Sequence, residues 1–341
     1  MTAPRLYLDW NASAPLRAEA RAAMAAAMDV AGNPSSVHAE GRAARALVEK
    51  ARAQVAAAVG CKPGEVIFTS GATEAAAVLA RLAGPVEVDP TAHDCLWAHR
   101  RPGEGRGILA WGHANNETGI VAEPPADGRP VLLDIVQTVG RVPFSFAWSG
   151  AEMAIVSAHK FGGPKGVGAL IVRDGVEVPA GPAGGGQELG RRAGTENVIG
   201  IAGMGAAAEA AARDLADGVW EGVRAVRDAF EAALEAGQTG TTIVGRGGVR
   251  LPNTTCMVTP GWKGETQVML MDLAGYAVSA GAACSSGKVR ASRVLAAMGF
   301  DATEAASALR VSIGPGTGRE EMLRFAEAWT AAARRRTAKA A

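Results

Sequence analysis

The sequence predicts an α/β protein of about two domains, and three observations predict it. The chain has 341 residues against roughly 100 to 200 for a typical domain, and 48% of them are hydrophobic. That is enough to bury a core, and it excludes a disordered or fibrous chain. Short apolar runs bounded by Gly, Pro or polar residues recur at 65–69, 107–111, 131–135, 153–156 and 167–172. They lack polar alternation, as parallel strands covered on both faces do. Between several of them lie alanine-rich stretches with helical periodicity.

Residues 17–31 are rich in alanine, with Met24 and Met28 one turn apart, and read as a helix with a small apolar stripe. The loop Gly32-Asn33-Pro34-Ser35-Ser36 follows. From Arg42 to Val59, the positions Ala44, Leu47, Val48, Ala51, Val55, Ala58 and Val59 share one helical face, and Gly60 supplies the stop. Glu65–Thr69 is β-prone, and Ser70-Gly71-Ala72-Thr73-Glu74 opens another alanine-rich helix. Pro182–Gly194 is glycine-rich and carries Arg191 and Arg192. Ile199 to about Leu234 is helical in pattern, with interruptions expected at Gly218 and Gly222. Beyond Gly237, strands are expected at Thr241–Val244, Thr254–Val258 and Ala277–Ala280, then helices at Ser292–Met298 and Glu320–Ala333, which places a second domain there. The run Arg334-Arg335-Arg336 reads as a solvated helix end.

Lys plus Arg number 35 and Asp plus Glu 34, so no global field favours nucleic acid or an anionic membrane as partner. Neither is expected. No window reaches the length of a membrane span, and Met1–Leu16 holds Arg5, Asp9 and Pro15 in place of an apolar signal core; a cytoplasmic protein is expected. The cysteines Cys61, Cys95, Cys256 and Cys284 form no C-x-x-C pair and no dense framework, so neither a metal site nor a disulfide scaffold is expected.

Three features carry chemistry. Lys160 follows the run 153–156 and precedes Phe161-Gly162-Gly163, at the carboxyl end of a strand where such sheets open their ligand crevice. A lysine there can form a Schiff base, although a surface lysine is the plainer reading. Asp134 ends Val131-Leu132-Leu133, and a carboxylate at the end of a core strand needs a partner. A pyridinium nitrogen would supply one and keep the ring an electron sink; a helix cap or a surface carboxylate is the alternative. Ser70-Gly71-Ala72-Thr73 joins a strand to a helix through small residues, an anion seat suited to phosphate or an ordinary capped helix start. Together the three complete a pyridoxal phosphate site. Cys284 lies among small residues with Lys288 and Arg290 nearby to lower its pKa, a buried inert cysteine being the plainer alternative, whereas Cys61, Cys95 and Cys256 sit in apolar or strand-like surroundings and read as structural. His93, beside Asp94, reads by itself as a ligand or as a satisfied polar residue.

The motifs Phe68-Thr69-Ser70-Gly71-Ala72-Thr73-Glu74, His113-Ala114-Asn115-Asn116-Glu117-Thr118-Gly119, Ser157-Ala158-His159-Lys160, Gly184-Gly185-Gly186-Gln187-Glu188 with Arg192-Ala193-Gly194-Thr195-Glu196-Asn197, and Gly281-Ala282-Ala283-Cys284-Ser285-Ser286-Gly287 stand in one order along the chain. In that order they resemble the cysteine desulfurases, class V aminotransferases among the fold type I pyridoxal phosphate enzymes. The similarity runs from Leu6 to Ser312.

The resemblance implies a large cofactor domain over 13–225 with a mainly parallel seven-stranded sheet. It also implies a smaller α+β domain of 1–12 and 226–341 that carries the catalytic cysteine loop. By resemblance, Lys160 is the Schiff-base lysine, Asp134 the pyridinium partner and His93 the histidine stacked on the ring. Ala72, Thr73, Ser157 and His159 hold the phosphate, with Thr195 from the other subunit of a homodimer. Gln137 and Asn116 match residues that bond the cofactor's phenolic oxygen or the substrate, Arg310 the arginine that grips the α-carboxylate, and Cys284 the nucleophile that takes the sulfur.

The implied reaction converts L-cysteine to L-alanine with a persulfide on Cys284, for a sulfur-acceptor protein of iron–sulfur assembly or tRNA thiolation. A selenocysteine lyase, another class V aminotransferase, or a catalytically silent scaffold of sulfur assembly remains open. The stretch between Glu74 and His93 is shorter than the family pattern, so a peripheral helix or strand is expected to be trimmed there. Ala158 stands where the family usually has glycine, and Ala282-Ala283 where Ser-Ala is common.

Overall fold

The protein is described by a computed structural model over residues 5–182, 184–281 and 291–340. In chain order these form β1 (Leu6–Tyr7), α1 (Ala18–Met28), α2 (Ala39–Val59), β2 (Val66–Thr69), α3 (Ala72–Ala76), α4 (Val78–Arg81), β3 (Val86–Val88) and α5 (Asp94–Trp97). Then come β4 (Ile108–Gly112), β5 (Val131–Asp134), β6 (Met153–Ser157), β7 (Gly168–Val172), α6 (Val198–Ala216) and α7 (Val219–Ala236). The rest comprises β8 (Thr242–Ile243), β9 (Thr254–Val258), α8 (Gly264–Leu273), β10 (Tyr276–Ala277), α9 (Arg293–Ala297), α10 (Ala302–Ala305), β11 (Ala308–Ser312) and α11 (Arg319–Ala340).

The chain divides into two compact units, one of Ser13–Ala114 and Ala122–Asp217, the other of Met1–Ala12, Asn115–Val121 and Gly218–Ala341. This corrects the expected partition at two places. The boundary falls at Gly218 and not after residue 225, because Gly218 adopts a left-handed φ of 71° between α6 and α7, a conformation few other residues hold cheaply. Gly222 lies inside α7 and interrupts nothing. Residues 115–121 go with the second unit because their backbone is bonded there, with Leu251 N donating to Gly119 O at 2.7 Å and Val121 N to Val249 O at 2.9 Å.

The first unit is built on a six-stranded sheet in the order β2-β7-β6-β5-β4-β3. β3, β4, β5 and β6 run parallel, and β7 is antiparallel to both β2 and β6. Every residue of β5, β6 and β7 is buried, which is why their sequences show no polar alternation. The seventh strand implied by the resemblance is not found among the described residues. At the β3 edge the chain makes only a one-residue bridge, Val86 N to Arg101 O at 2.9 Å and Arg101 N to Val86 O at 3.0 Å. The stretch 98–107 is too short for another parallel strand and its crossover, which needs about a dozen residues or more. β3 lies within the 74–93 stretch expected to be trimmed, so that stretch still supplies an edge strand of the sheet.

α1, α2 and α6 cover one face of this sheet and share its core with Val48, Val55, Val156 and Ile171. The close packing of α6 on α2 requires a glycine: a Cβ at Gly205 would lie 2.6 Å from Ala51 Cα. α2 ends at Gly60, whose φ is 69°, as its sequence predicts. Arg52, a charged residue within α2, is buried as well.

The second unit holds the three-stranded sheet β11-β9-β8 and the short pair β1-β10. α7 and α11 pack together through Phe230 and Phe325, with centroids 5.5 Å apart. Trp329 stacks on Trp262 at 5.4 Å and donates from Nε1 to Gln267 Oε1 at 3.0 Å. Arg334 and Arg336 near the end of α11 donate to the carbonyls of Gly237 and Gly261, so that end is docked as well as solvated. Among the described residues no helix is long and apolar enough to cross a membrane, and no group of three or more His, Cys, Asp and Glu could hold a metal ion.

Candidate active site

Three sequence-predicted residues come together at the carboxyl ends of the parallel strands. Asp134 is the last residue of β5 and is buried. Its Oδ1 accepts from Val136 N at 2.9 Å. Burial pushes its carboxyl above the ordinary value, and the charge of His93, the Val136 N–H and the charge of Lys160 pull it back only in part. Asp134 is therefore a carboxylate short of positive partners.

His93 precedes α5, and its Nδ1 accepts from Cys95 N at 3.1 Å. Lys160 ends the single helical turn 158–160 that follows β6. Its carbonyl accepts from Arg141 Nη2 at 2.7 Å, the next loop is bonded to α1 by Arg17 Nε to Phe161 O at 2.8 Å, and His159 O accepts from Ala14 N at 2.9 Å. Arg141 also donates from Nη1 to Gln137 Oε1, so one buried guanidinium links Gln137 to the lysine turn. Nothing in the residues around Arg141 marks it locally.

Ser157 ends β6 beside Gly168 of β7. A Cβ at Gly168 would stand 2.6 Å from Gly71 Cα and 2.5 Å from Val156 O. Only glycine at 168 lets the Ser70–Thr73 turn approach this close. A Cβ on Gly71 would meet nothing nearer than Ser157 Oγ at 3.9 Å, so space remains between Ala72, Thr73 and Ser157. His159 Nδ1 lies 3.3 Å from Ser13 Oγ. Burial, with Lys160, Lys165 and Arg141 nearby, holds the His159 imidazole down at about 4, so it is neutral at physiological pH.

Thr195 is exposed on a loop tied to α3 by Arg192 Nε to Glu74 Oε1 at 2.9 Å. Burial pushes Glu74 up, but hydrogen bonds from Arg192 and Ser70 outweigh it and hold the carboxyl at about 2. Earlier on the same loop, Glu188 and Leu189 have left-handed φ values of 51° and 56°. That strain is offset by the buried Glu188 carboxylate, which accepts from Arg52 Nη1 and Nη2 at 2.8 and 2.9 Å and from Phe68 N at 2.9 Å.

Asn116 and Arg310 belong to the second unit. The Asn116 carbonyl accepts from Arg310 Nη1 at 3.2 Å and from Asn11 Nδ2 at 3.1 Å. Arg310 Nη2 pairs with Asp9 Oδ1 at 2.6 Å, a partner the sequence does not announce. Cys284 lies outside the described residues. Burial pushes Cys61 up to about 12 and, with Glu117, Cys256 likewise; burial and Asp134 push Cys95 up as well. None of these three thiols ionises readily at neutral pH.

The aminotransferase class-V family model matches residues 6–93 and 103–325. The interruption falls on α5 and the turn into Arg101. A cysteine desulfurase of Cereibacter sphaeroides is 37% identical, over 95% of this chain and 94% of its own. A cysteine desulfurase of Frankia is also 37% identical, over 93% and 88%. The solved structure of a NifS-like protein superposes with a TM-score of 0.85 at 28% identity, over 96% of this chain and 99% of that one. Matched nearly end to end by the family model and by these relatives, the chain belongs to the aminotransferase class-V family, among its cysteine desulfurases.

Proposed function

We propose that the protein converts L-cysteine to L-alanine using pyridoxal phosphate and passes the sulfur to Cys284. The observation that carries this is the buried Asp134 carboxylate, short of positive charge, at the strand ends beside His93 and Lys160. A protonated pyridine nitrogen is the cation such a site lacks. The space beside Gly71 and Ser157, lined by small residues, hydroxyls and backbone N–H groups, suits the phosphate. When bound, pyridoxal phosphate supplies an electron sink for the substrate Cα.

In this reading Asp134 would hold the ring nitrogen protonated, His93 would lie against the ring, and Gln137, held by Arg141, would bond the phenolic oxygen. Ala72, Thr73, Ser157, neutral His159 and Thr195 of a second subunit hold the phosphate in a homodimer. Lys160 would hold the cofactor through its Nζ, and its amine is the base that would move the substrate Cα proton. Arg310 binds the α-carboxylate and Asn116 lies beside it. The Cys284 thiolate attacks the substrate sulfur: the S–S bond forms as the C–S bond breaks, and a proton takes the place of sulfur on the substrate carbon. An enzyme thiol and L-cysteine thus become an enzyme persulfide and L-alanine, with no outside oxidant. The three described thiols, all kept protonated, support Cys284 in that role. The persulfide then serves an acceptor protein of iron–sulfur assembly or tRNA thiolation in the cytoplasm.

The test is alanine and sulfur release from L-cysteine by the purified holoenzyme, with and without candidate acceptors. Equal amounts of both products are expected; transamination of cysteine without sulfur release would overturn the reading.

A further inference from the structure

In the second unit the Arg310 guanidinium is fixed on two sides. Nη2 donates to Asp9 Oδ1 at 2.6 Å and Nη1 to the Asn116 carbonyl at 3.2 Å. Nε, however, is buried and has no hydrogen-bond partner among the described residues. The side chain is only 7% exposed, so water does not readily serve this donor, and a buried N–H without an acceptor is costly. Asp9 does not supply the acceptor, because its second oxygen accepts from Ser279 Oγ at 3.1 Å. The backbone enforces this division. Ser279 and Arg310 exchange both main-chain hydrogen bonds, at 2.7 and 3.2 Å, and Asp9 is bridged to Ser312. The carboxylate is thereby presented to one terminal nitrogen and kept off Nε.

A guanidinium is a directional receptor whose planar fork must face its carboxylate. We infer that Asp9 is a positioning residue for substrate recognition: its ion pair turns Arg310 so that the unspent Nε–H faces the substrate α-carboxylate. This rests on Arg310 as the carboxylate receptor in the proposed reaction. The ligand class it serves is the α-amino monocarboxylate, and an amine without a carboxylate does not sense Asp9.

The test uses the holoenzyme, with KM for L-cysteine and the affinities for L-alanine and ethylamine read from the cofactor's visible band. Ethylamine is alanine without its carboxylate. In Asp9→Ala, the KM for L-cysteine and the Kd for L-alanine rise about tenfold, the scale of one charge-assisted hydrogen bond, while kcat and ethylamine binding hardly move. Asp9→Asn keeps an acceptor for Nη2 and a partner for Ser279, and stays within about threefold of wild type. Asp9→Glu keeps the charge but shifts it by one methylene, and behaves like Asp9→Ala; it carries the test should the alanine variant not fold. Equal weakening of L-alanine and ethylamine, or unchanged L-alanine affinity in both Asp9→Ala and Asp9→Glu, would overturn the inference. If wild type neither binds L-alanine nor turns over L-cysteine, the proposed function falls and this inference with it; a failure confined to the variants sinks only the role of Asp9.

Discussion

Asp134 in the sheet unit and Asp9 in the second unit are both carboxylates at the end of a strand or its extension, and they differ in what surrounds them. Asp9 has its two oxygens assigned, one to Arg310 and one to Ser279. Asp134 is buried, and the pull of His93, the Val136 N–H and Lys160 leaves its carboxyl still pushed above the ordinary range. The paired acid is a fixed part of the scaffold that aims another side chain. The underpaired acid suits the cationic ring nitrogen of the proposed cofactor.

The largest effect expected is on Lys160, whose Nζ carries both cofactor attachment and the proton. Lys160→Ala should lower L-cysteine turnover by about 10³-fold or more, measured as alanine release; activity within tenfold of wild type would remove the lysine from the reaction. Next come the two acids, which should respond with opposite signs. Asp134→Asn should cost about 10²-fold in turnover and cofactor retention, yet raise the unfolding free energy of the cofactor-free protein at pH 7 by about 1–2 kcal/mol, since an underpaired buried charge disappears. Asp9→Ala should lower it by about 3 kcal/mol, because Arg310 is left charged and unpaired. Chemical denaturation of the two cofactor-free variants would read the contrast, and equal signs would break it.

The pH dependence follows from the same logic. The folded-state carboxyl of Asp134 is raised, so the folded chain holds its proton more tightly than the unfolded chain. Removing pyridoxal phosphate should therefore leave a protein that gains stability as pH falls toward the ordinary carboxylate range. Asp134→Asn should flatten that gain.

Smaller effects belong to the phosphate seat. Gly168→Ala would drive a Cβ into the Gly71 backbone and should cost about 2–3 kcal/mol, together with a weaker affinity for pyridoxal phosphate. Glu74→Gln should cost less than about 1 kcal/mol, because its pair with Arg192 is partly solvated. Glu74 is held at about 2 against 4.5 in the unfolded chain. Its contribution is present above the unfolded value and disappears as pH falls from 4.5 towards 2, a slope that the glutamine variant should lose.

Much of the sheet unit was legible because its chemistry is local in sequence. Asp134 and Lys160 each end an apolar run, and a run buried on both faces marks its own carboxyl end. The α2 stop at Gly60 and the break at Gly218 were legible for the same reason. Arg141, Arg52 and Asp9 were not, since their meaning lies in partners remote along the chain: Lys160, Glu188 and Arg310. Arg52 shows the difficulty best, as a charge within a helix reads as solvent-facing until the distant Glu188 carboxylate is placed over it. The mainly parallel sheet was legible in these runs; the number seven came from the resemblance alone, and six strands pair among the described residues.

In the proposed reaction sulfur passes from L-cysteine to Cys284. Mass analysis of the holoenzyme after a single turnover with L-cysteine, without reductant, tests it most directly. The prediction is a mass increase of one sulfur atom on the peptide bearing Cys284, equal in amount to the alanine formed, and neither product in Cys284→Ser, although its visible cofactor band is retained. Undiminished alanine and sulfide production by Cys284→Ser would contradict it.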